Sequence, residues 1–534
     1  MLAQAAYHKA EKPIVSKDGR TRIIIDFFDE ASQAYPTTNL ENFDPKTSTQ
    51  HPQVLALVQD YEKKYGFTRE SMTTWVGASV TAFLTTQQVE RIKADRNVRL
   101  LTEDRYATFS SPPLSVWDPQ WSVPSWNGPA WGELQDWGHK AVNGRVTTAA
   151  TQKKVYIIDS GVAFHDDLPS MQRVNVACGT GGDCSTVPGP DPVVGAIGYY
   201  AQVGCYAHAT HVAGIIGATV NNSKNRMGVY PGVQMVSVGL LTNDLVGLPS
   251  SSWCGAGDPT WSAIGAAFDY IYWNNFPSSS GQWPVNIATM SINFVGVGFV
   301  YSVAETNRSK LMKMVTPAQE YSYWLGWVSY PGVLFVQSAG NQNREACYEN
   351  GFGPAGSSGL TAAVFTISPG ATSTAVDGIM VVGAVKSTGQ HVAPFTAMEP
   401  RWLNDQGQQV VSGEAGSNYD DCVDIWAPGD FIYSTWGQDK GSTLGNVTYA
   451  GGQISGFNAN QNPSQAPAPT TVQGWQWLSG TSMAAPHVAA AAAYLADLYG
   501  LTSPVAIENE LRNNRPYYGF NDPLGTPIRT LRLP

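Results

Sequence analysis

Apolar residues recur along this chain in two rhythms, and the rhythm changes near residue 110. In the first stretch, TRIIIDFF reads as a strand, PQVLALVQDYEKKYG has the spacing of an amphipathic helix, and VGASVTAFL alternates like a half-buried strand. A second helix is predicted over TTQQVERIKADRN. It opens with Thr85 three residues before Gln88, a capping-box spacing, and gives way to the strand VRLLTED. Strand, helix, strand, helix, strand is a split βαβ arrangement, so residues 21–104 predict a small α+β unit.

From residue 153 onward the pattern is different. KKVYIID, VQMVSVGLL, VNIATMSI, GVLFVQSAG and GIMVVGAV are short, nearly continuous apolar runs separated by long helix-bearing connections. Such runs predict strands of a parallel sheet covered on both faces, an α/β fold. In that fold, chemistry gathers beyond the carboxyl ends of the strands. Between about 106 and 150 lie Pro, Gly and Ser interleaved with Trp117, Trp121, Trp126, Trp131 and Trp137. With no strand or helix period, these indoles are expected to pin a connection onto the core rather than to form a ligand platform.

Composition sharpens the division. The 534 residues allow two to four domains at roughly 150 residues each, and only 14% are charged. Residues 1–110 hold 14 basic and 14 acidic side chains, whereas the remainder holds 18 and 28, so the net charge of -10 sits wholly in the second part. A net-acidic major unit poor in Lys and Arg argues against nucleic-acid binding. No run reaches the about 18 apolar residues of a membrane span; the longest, near Ala484 to Leu498, is broken by His487 and Asp497. The opening residues contain no apolar signal core. All six cysteines nevertheless lie in the acidic part, which favours a secreted protein whose signal has been removed over an intracellular one; the sequons at Asn221, Asn307 and Asn446 are compatible with this but arise often by chance.

Four short elements carry candidate chemistry, each with a plain alternative. Asp159 closes the run VYIID, where a lone Asp usually caps a turn. His208 and His211 in HATHVAGIIG could be metal ligands, but no Glu of an H-E-x-x-H pattern accompanies them. SGTSMAAPHVAAAAAYLADLYG predicts a buried, small-residue helix with Ser482 in its first turn. A serine hydroxyl becomes a nucleophile when an imidazole takes its proton and a carboxylate orients that imidazole. Asn341, after the run VQSAG, is a turn residue on its own, but its amide N–H could donate to a developing oxyanion. Together the four describe one constellation.

With GTSMAAPHVA at 480–489, VYIIDSGV, H-x-T-H and SAGN in that order, the sequence resembles the subtilisin-like serine peptidases, in particular the proteinase K and aqualysin branch. The resemblance implies a three-layer fold with a mainly parallel sheet, preceded by a small ferredoxin-like propeptide domain. It implies Asp159 as orienting carboxylate, His208 as general base, Ser482 as nucleophile and Asn341 as oxyanion donor, with His211 a structural neighbour. It further implies that Ser291, Ile292 and Asn293, with Ser338, Ala339 and Gly340, line the bound substrate. Two positions depart from the family pattern: Ala209 replaces the Gly of H-G-T-H, and Asn293 replaces a Gly expected at the primary pocket wall.

By the same resemblance, Cys205 pairs with Cys254 and Cys347 with Cys422, leaving Cys178 with Cys184. No cofactor is implied for catalysis, but structural calcium is, with Asp424 in VDIWAPG as one ligand position. Residues 1–110 resemble an inhibitor-type propeptide, 111–150 a linker opening the mature enzyme, and 151–534 the catalytic domain. The implied activity is a monomeric, secreted endopeptidase acting on proteins and peptides. It would be made as a zymogen inhibited by its own propeptide and would cut itself between about Tyr106 and Pro112. A narrow-specificity processing enzyme and an inactive secreted binding scaffold are the alternatives.

Overall fold

The structure, a computed structural model, describes most of residues 13–34, 50–105, 108–109, 137–176, 205–240, 260–275, 285–293, 301–343, 376–392, 402–439, 448–455 and 471–534. The charge-rich part folds as β1 (Thr21–Phe27), α1 (Pro52–Tyr65), β2 (Arg69–Thr73), β3 (Ser79–Leu84), α2 (Thr86–Lys93) and β4 (Val98–Glu103). Its antiparallel sheet has the order β2-β3-β1-β4. This is the split βαβ arrangement, with β2 a strand that the mixed sequence RESMT did not announce. The capping box forms: Thr85 N–H donates to Gln88 Oε1 at 2.9 Å, and Gln88 N–H donates to Thr85 Oγ1 at 3.2 Å. Helix α1 begins on Pro52 and ends where Gly66 takes a φ of 69°, the asymmetry that Pro and Gly favour.

The alternation in β3 has an unexpected outcome. Val80, Ala82 and Leu84 enter the core of this unit with Ile23, Ile25, Leu57 and Tyr61, yet the polar Ser79 and Thr81 on the other face are buried as well. That face lies against the second unit, so its polarity serves an interface rather than water. Ile24 of β1 joins the second unit's core. A short strand β5 (Thr108–Phe109) then follows β4.

The second unit contains β6 (Lys154–Asp159), β7 (Met171–Asn175), α3 (Cys205–Gly217), β8 (Gln234–Gly239), α4 (Trp261–Asn274), β9 (Asn286–Met290) and β10 (Ile292–Asn293). It continues with α5 (Tyr301–Val315), β11 (Val333–Ser338), β12 (Ile379–Val385), β13 (Ile425–Pro428), β14 (Ile432–Asp439), β15 (Thr471–Leu478), α6 (Thr481–Leu498) and α7 (Pro504–Asn513). Seven strands form one parallel sheet of order β13-β12-β11-β9-β6-β8-β7. The runs are continuously apolar because both faces are covered. Val155 and Ile157 of β6 pack with α3, α6 and α7, whereas Tyr156 and Ile158 pack with α4 and α5. The edge strands β7 and β13 escaped the sequence reading because one is half polar and the other is four residues long. Trp137 pins the connection as expected, its Nε1–H donating to the carbonyls of Asp430 and Phe431 at 3.1 and 3.0 Å; the other four tryptophans lie outside the described residues.

The two units meet through buried charge. Asp269 of α4 accepts three successive backbone N–H bonds, from Thr74, Trp75 and Val76 at 3.0, 2.6 and 2.8 Å. Lys310 of α5 donates to Ser79 Oγ at 2.9 Å. Asp104 returns the contact at the start of α4, accepting from Ser262 N–H at 3.2 Å and Ser262 Oγ at 2.7 Å, with Arg22 beside it at 3.3 Å. Beyond it, β5 pairs antiparallel with β10, Phe109 opposite Ile292 and Thr108 opposite Asn293. Among the described residues, no helix is long and apolar enough to cross a membrane.

Helix α3 is docked on β14 by two side chains: Thr435 Oγ1 donates to Thr210 O and Ser434 Oγ to His211 O, both at 2.7 Å. Gly214 lets them approach. A methyl there would fall on both hydroxyls and 2.9 Å from Thr435 N. Gly214→Ala is therefore expected to cost at least about 1–3 kcal/mol through overpacking, read as a lower urea midpoint at unchanged slope.

Candidate active site

Three of the candidate residues stand at the carboxyl ends of parallel strands or at a helix start facing them, where open α/β sheets place their sites. Asp159 ends β6, and its Oδ1 accepts the N–H of Ser160 at 2.6 Å, which fixes the carboxylate. His208 lies in the first turn of α3, and its Nδ1 sits 2.9 and 3.0 Å from the two oxygens of Asp159. Asp159 is fully buried and His208 nearly so. A carboxylate held this way keeps the ring proton on Nδ1, leaving Nε2 as the basic nitrogen on the opposite edge of the ring.

Ser482 is the second residue of α6 and is fully buried, and the helices bearing His208 and Ser482 pack on one another. A first-turn backbone N–H has no intrahelical acceptor, and the helix end carries partial positive charge. Asn341 reaches the same helix start. Its Oδ1 accepts from Thr481 N–H at 2.8 Å and Thr481 Oγ1–H at 2.9 Å, while Gly340 N–H donates to Thr481 Oγ1 at 3.0 Å. With the oxygen so engaged, the amide nitrogen turns the other way, toward Gly480. A side chain at Gly480 would stand 3.3 Å from that nitrogen, which accounts for a bare residue at the mouth of the helix. Thr481 is the functional residue that sequence reasoning passed over. It stood inside the quoted motif, but its role appears only once β11 and α6 are brought together.

The remaining site residues divide. Ser291 Oγ donates to the carbonyl of Ser482 at 3.3 Å, so this segment adjoins the nucleophile candidate, and Ile292 and Asn293 form β10. Ser338 is buried at the end of β11. Ala339 and Gly340, expected along the substrate, have their backbone groups engaged within the fold: Ala339 N–H donates to Val382 O, and Asn418 donates to both of their carbonyls. These bonds fix the backbone that leads into Asn341. His211 is structural, its Nε2 3.1 Å from Ile432 O, and the Ala209 methyl is absorbed in the core. Cys422 is disulfide-bonded. The side chains of Cys178, Cys184, Cys205, Cys254 and Cys347 lie outside the described residues.

Asp424 does not fit the calcium role. Its Oδ2 accepts Val381 N–H at 2.8 Å and its Oδ1 faces Arg512 Nη1 at 2.9 Å. Burial, with the Glu508 carboxylate nearby, pushes Asp424 well above the usual carboxylate range. Calcium needs six to eight oxygens around one centre. No group of three acidic, His or Cys side chains able to hold a metal occurs among the described residues.

The subtilase family profile matches residues 152–526. An extracellular serine proteinase of Thermus sp. (strain Rt41A) is 26% identical over 372 residues, which cover 69% of this chain and 57% of the relative. Subtilisin-like protease 1 of Pseudogymnoascus destructans is 28% identical over 156 residues, 29% of this chain and 31% of that protein. The chain thus spans less than two thirds of the length of these two curated relatives. Among solved structures, fervidolysin from Fervidobacterium pennivorans, a keratinolytic enzyme related to subtilisin, aligns over 97% of this chain and 61% of its own with a TM-score of 0.52 at 17% identity, a likeness of fold.

A serine-directed phosphonylating probe tests the site chemically. Asp159→Asn keeps the geometry but allows the wrong ring tautomer, so Ser482 is expected to label about 10⁴-fold more slowly. Time-resolved mass spectrometry of the peptide carrying Ser482 gives the rate.

Proposed function

The chain belongs to the subtilase family, and on that premise we propose that it is a serine endopeptidase, made as a self-processing zymogen and secreted. The observation that carries this reading is the buried His208–Asp159 hydrogen bond at the sheet end faced by the Ser482 helix. Ser482 Oγ attacks the scissile carbonyl carbon as His208 Nε2 takes its proton, and Asp159 stabilises the imidazolium through Nδ1. The carbonyl oxygen, now negative, accepts from Asn341 Nδ2–H and Ser482 N–H. Collapse of the tetrahedral intermediate breaks the C–N bond, and the amine leaves with the proton from His208. Water, activated by the same base, then releases the acyl group. Nucleophile, base and oxyanion donors all come from the chain, so the chemistry calls for no cofactor.

An extended peptide would add as a strand on the Ser291–Asn293 edge, main-chain bonds giving affinity. The pairing of β5 with β10 supports a propeptide whose own tail occupies that edge as a slow substrate. Residues 1–110 would act as folding aid and inhibitor and 151–534 as the enzyme, joined by the 111–150 linker and severed between about Tyr106 and Pro112. The extracellular Thermus relative and the placing of all cysteines in the acidic part support export. The complete set of Asp159, His208, Ser482 and Asn341 speaks against a dead scaffold.

Expression in a protease-free host tests both parts. The wild-type chain should yield a product whose first residue falls within 107–112, and Ser482→Ala should remain full length on intact-mass analysis. The same shortened product from both would refute self-processing.

A further inference from the structure

We infer that Arg512 is the built-in cation that joins α7 to β12 and β13, standing where the family resemblance leads one to expect a calcium ion. One guanidinium nitrogen, Nη1, lies 2.9 Å from Asp424 Oδ1 and 2.9 Å from Glu508 Oε1, bridging an acid that precedes β13 and an acid of α7. The outer oxygens of both acids are taken by backbone amides of β12 and of the two residues before it: Val381 N–H donates to Asp424 at 2.8 Å, and Gly378 and Asp377 N–H donate to Glu508 at 2.8 and 3.0 Å. Each carboxylate therefore faces a cationic nitrogen on one oxygen and an amide on the other. A divalent ion between them would have to displace the guanidinium of a buried arginine and leave it without its counter-ions.

The consequence is a fixed, non-exchangeable support for the strand beside β11, which itself leads through Ala339 and Gly340 to Asn341. A bound calcium can be stripped from a protein by a chelator, whereas a covalently attached cation cannot. Arg512 and Glu508 sit one helical turn apart on α7, so the helix carries both the cation and one of its acids, and only Asp424 comes from elsewhere. This inference does not rest on the catalytic reading and stands or falls separately from it.

Hydrogen exchange of the full-length Ser482→Ala chain, which cannot digest itself, tests it. In excess EDTA and in millimolar calcium chloride, the amides of residues 377–385 and 504–513 should exchange at the same rate. Arg512→Gln should accelerate both segments by about tenfold or more in EDTA. Slower exchange of these segments on adding calcium to the Arg512-bearing chain would overturn the inference, and that arm decides even if Arg512→Gln does not fold. Unchanged exchange in a folded Arg512→Gln chain would overturn it as well.

Discussion

Helix α6 has to pass through the middle of the protein, and most of the architecture follows from that constraint. It packs with strands β6, β9, β11, β12 and β13 and with α3 and α7, and its residues from Thr481 to Ala496 are all buried. Only small side chains let a helix lie this close to a sheet on one side and to two helices on the others, hence five consecutive alanines from Ala489 to Ala493. Burying the helix so deeply also fixes its first turn. Ser482, the Thr481 hydroxyl that orients Asn341, and the Ser291 segment are held by the core itself and not by mobile loops.

The contact between the two units is built differently. Its middle contains Asp26, Asp104, Asp269 and Lys310, charges removed from water and matched to one another, to backbone N–H groups and to hydroxyls. Burial pushes the three carboxyls above their usual range and Lys310 below its own, so the interface carries a real desolvation cost. Such an interface is specific without being an apolar core cut in half.

How much of this was legible in the sequence depended on the range of the interactions. The strands β6, β8, β9, β11 and β12 announce themselves because burial on two faces leaves an uninterrupted apolar run, and the capping box of α2 is a local pattern. The motif residues Asp159, His208, Asn341 and Ser482 were legible as a set, since four bland explanations in the right order are less economical than one mechanism. Hidden were relations between distant segments. Asp269 reads as an ordinary helix residue until the loop at 74–76 is laid on it, and Arg512 lies far along the chain from the Asp424 it pairs with. The polar face of β3 misled for the same reason: alternation reveals two faces, not what covers each of them.

Ser482 is proposed as the nucleophile of an enzyme that frees itself from its first 110 residues. Intact-mass and fragment analysis of the phosphonylated wild-type protein addresses both halves at once. A single adduct is expected, on Ser482, carried by a chain that begins between residues 107 and 112. An adduct on another residue, or an adduct on Ser482 in a chain still covalently joined to residues 1–105, would contradict it.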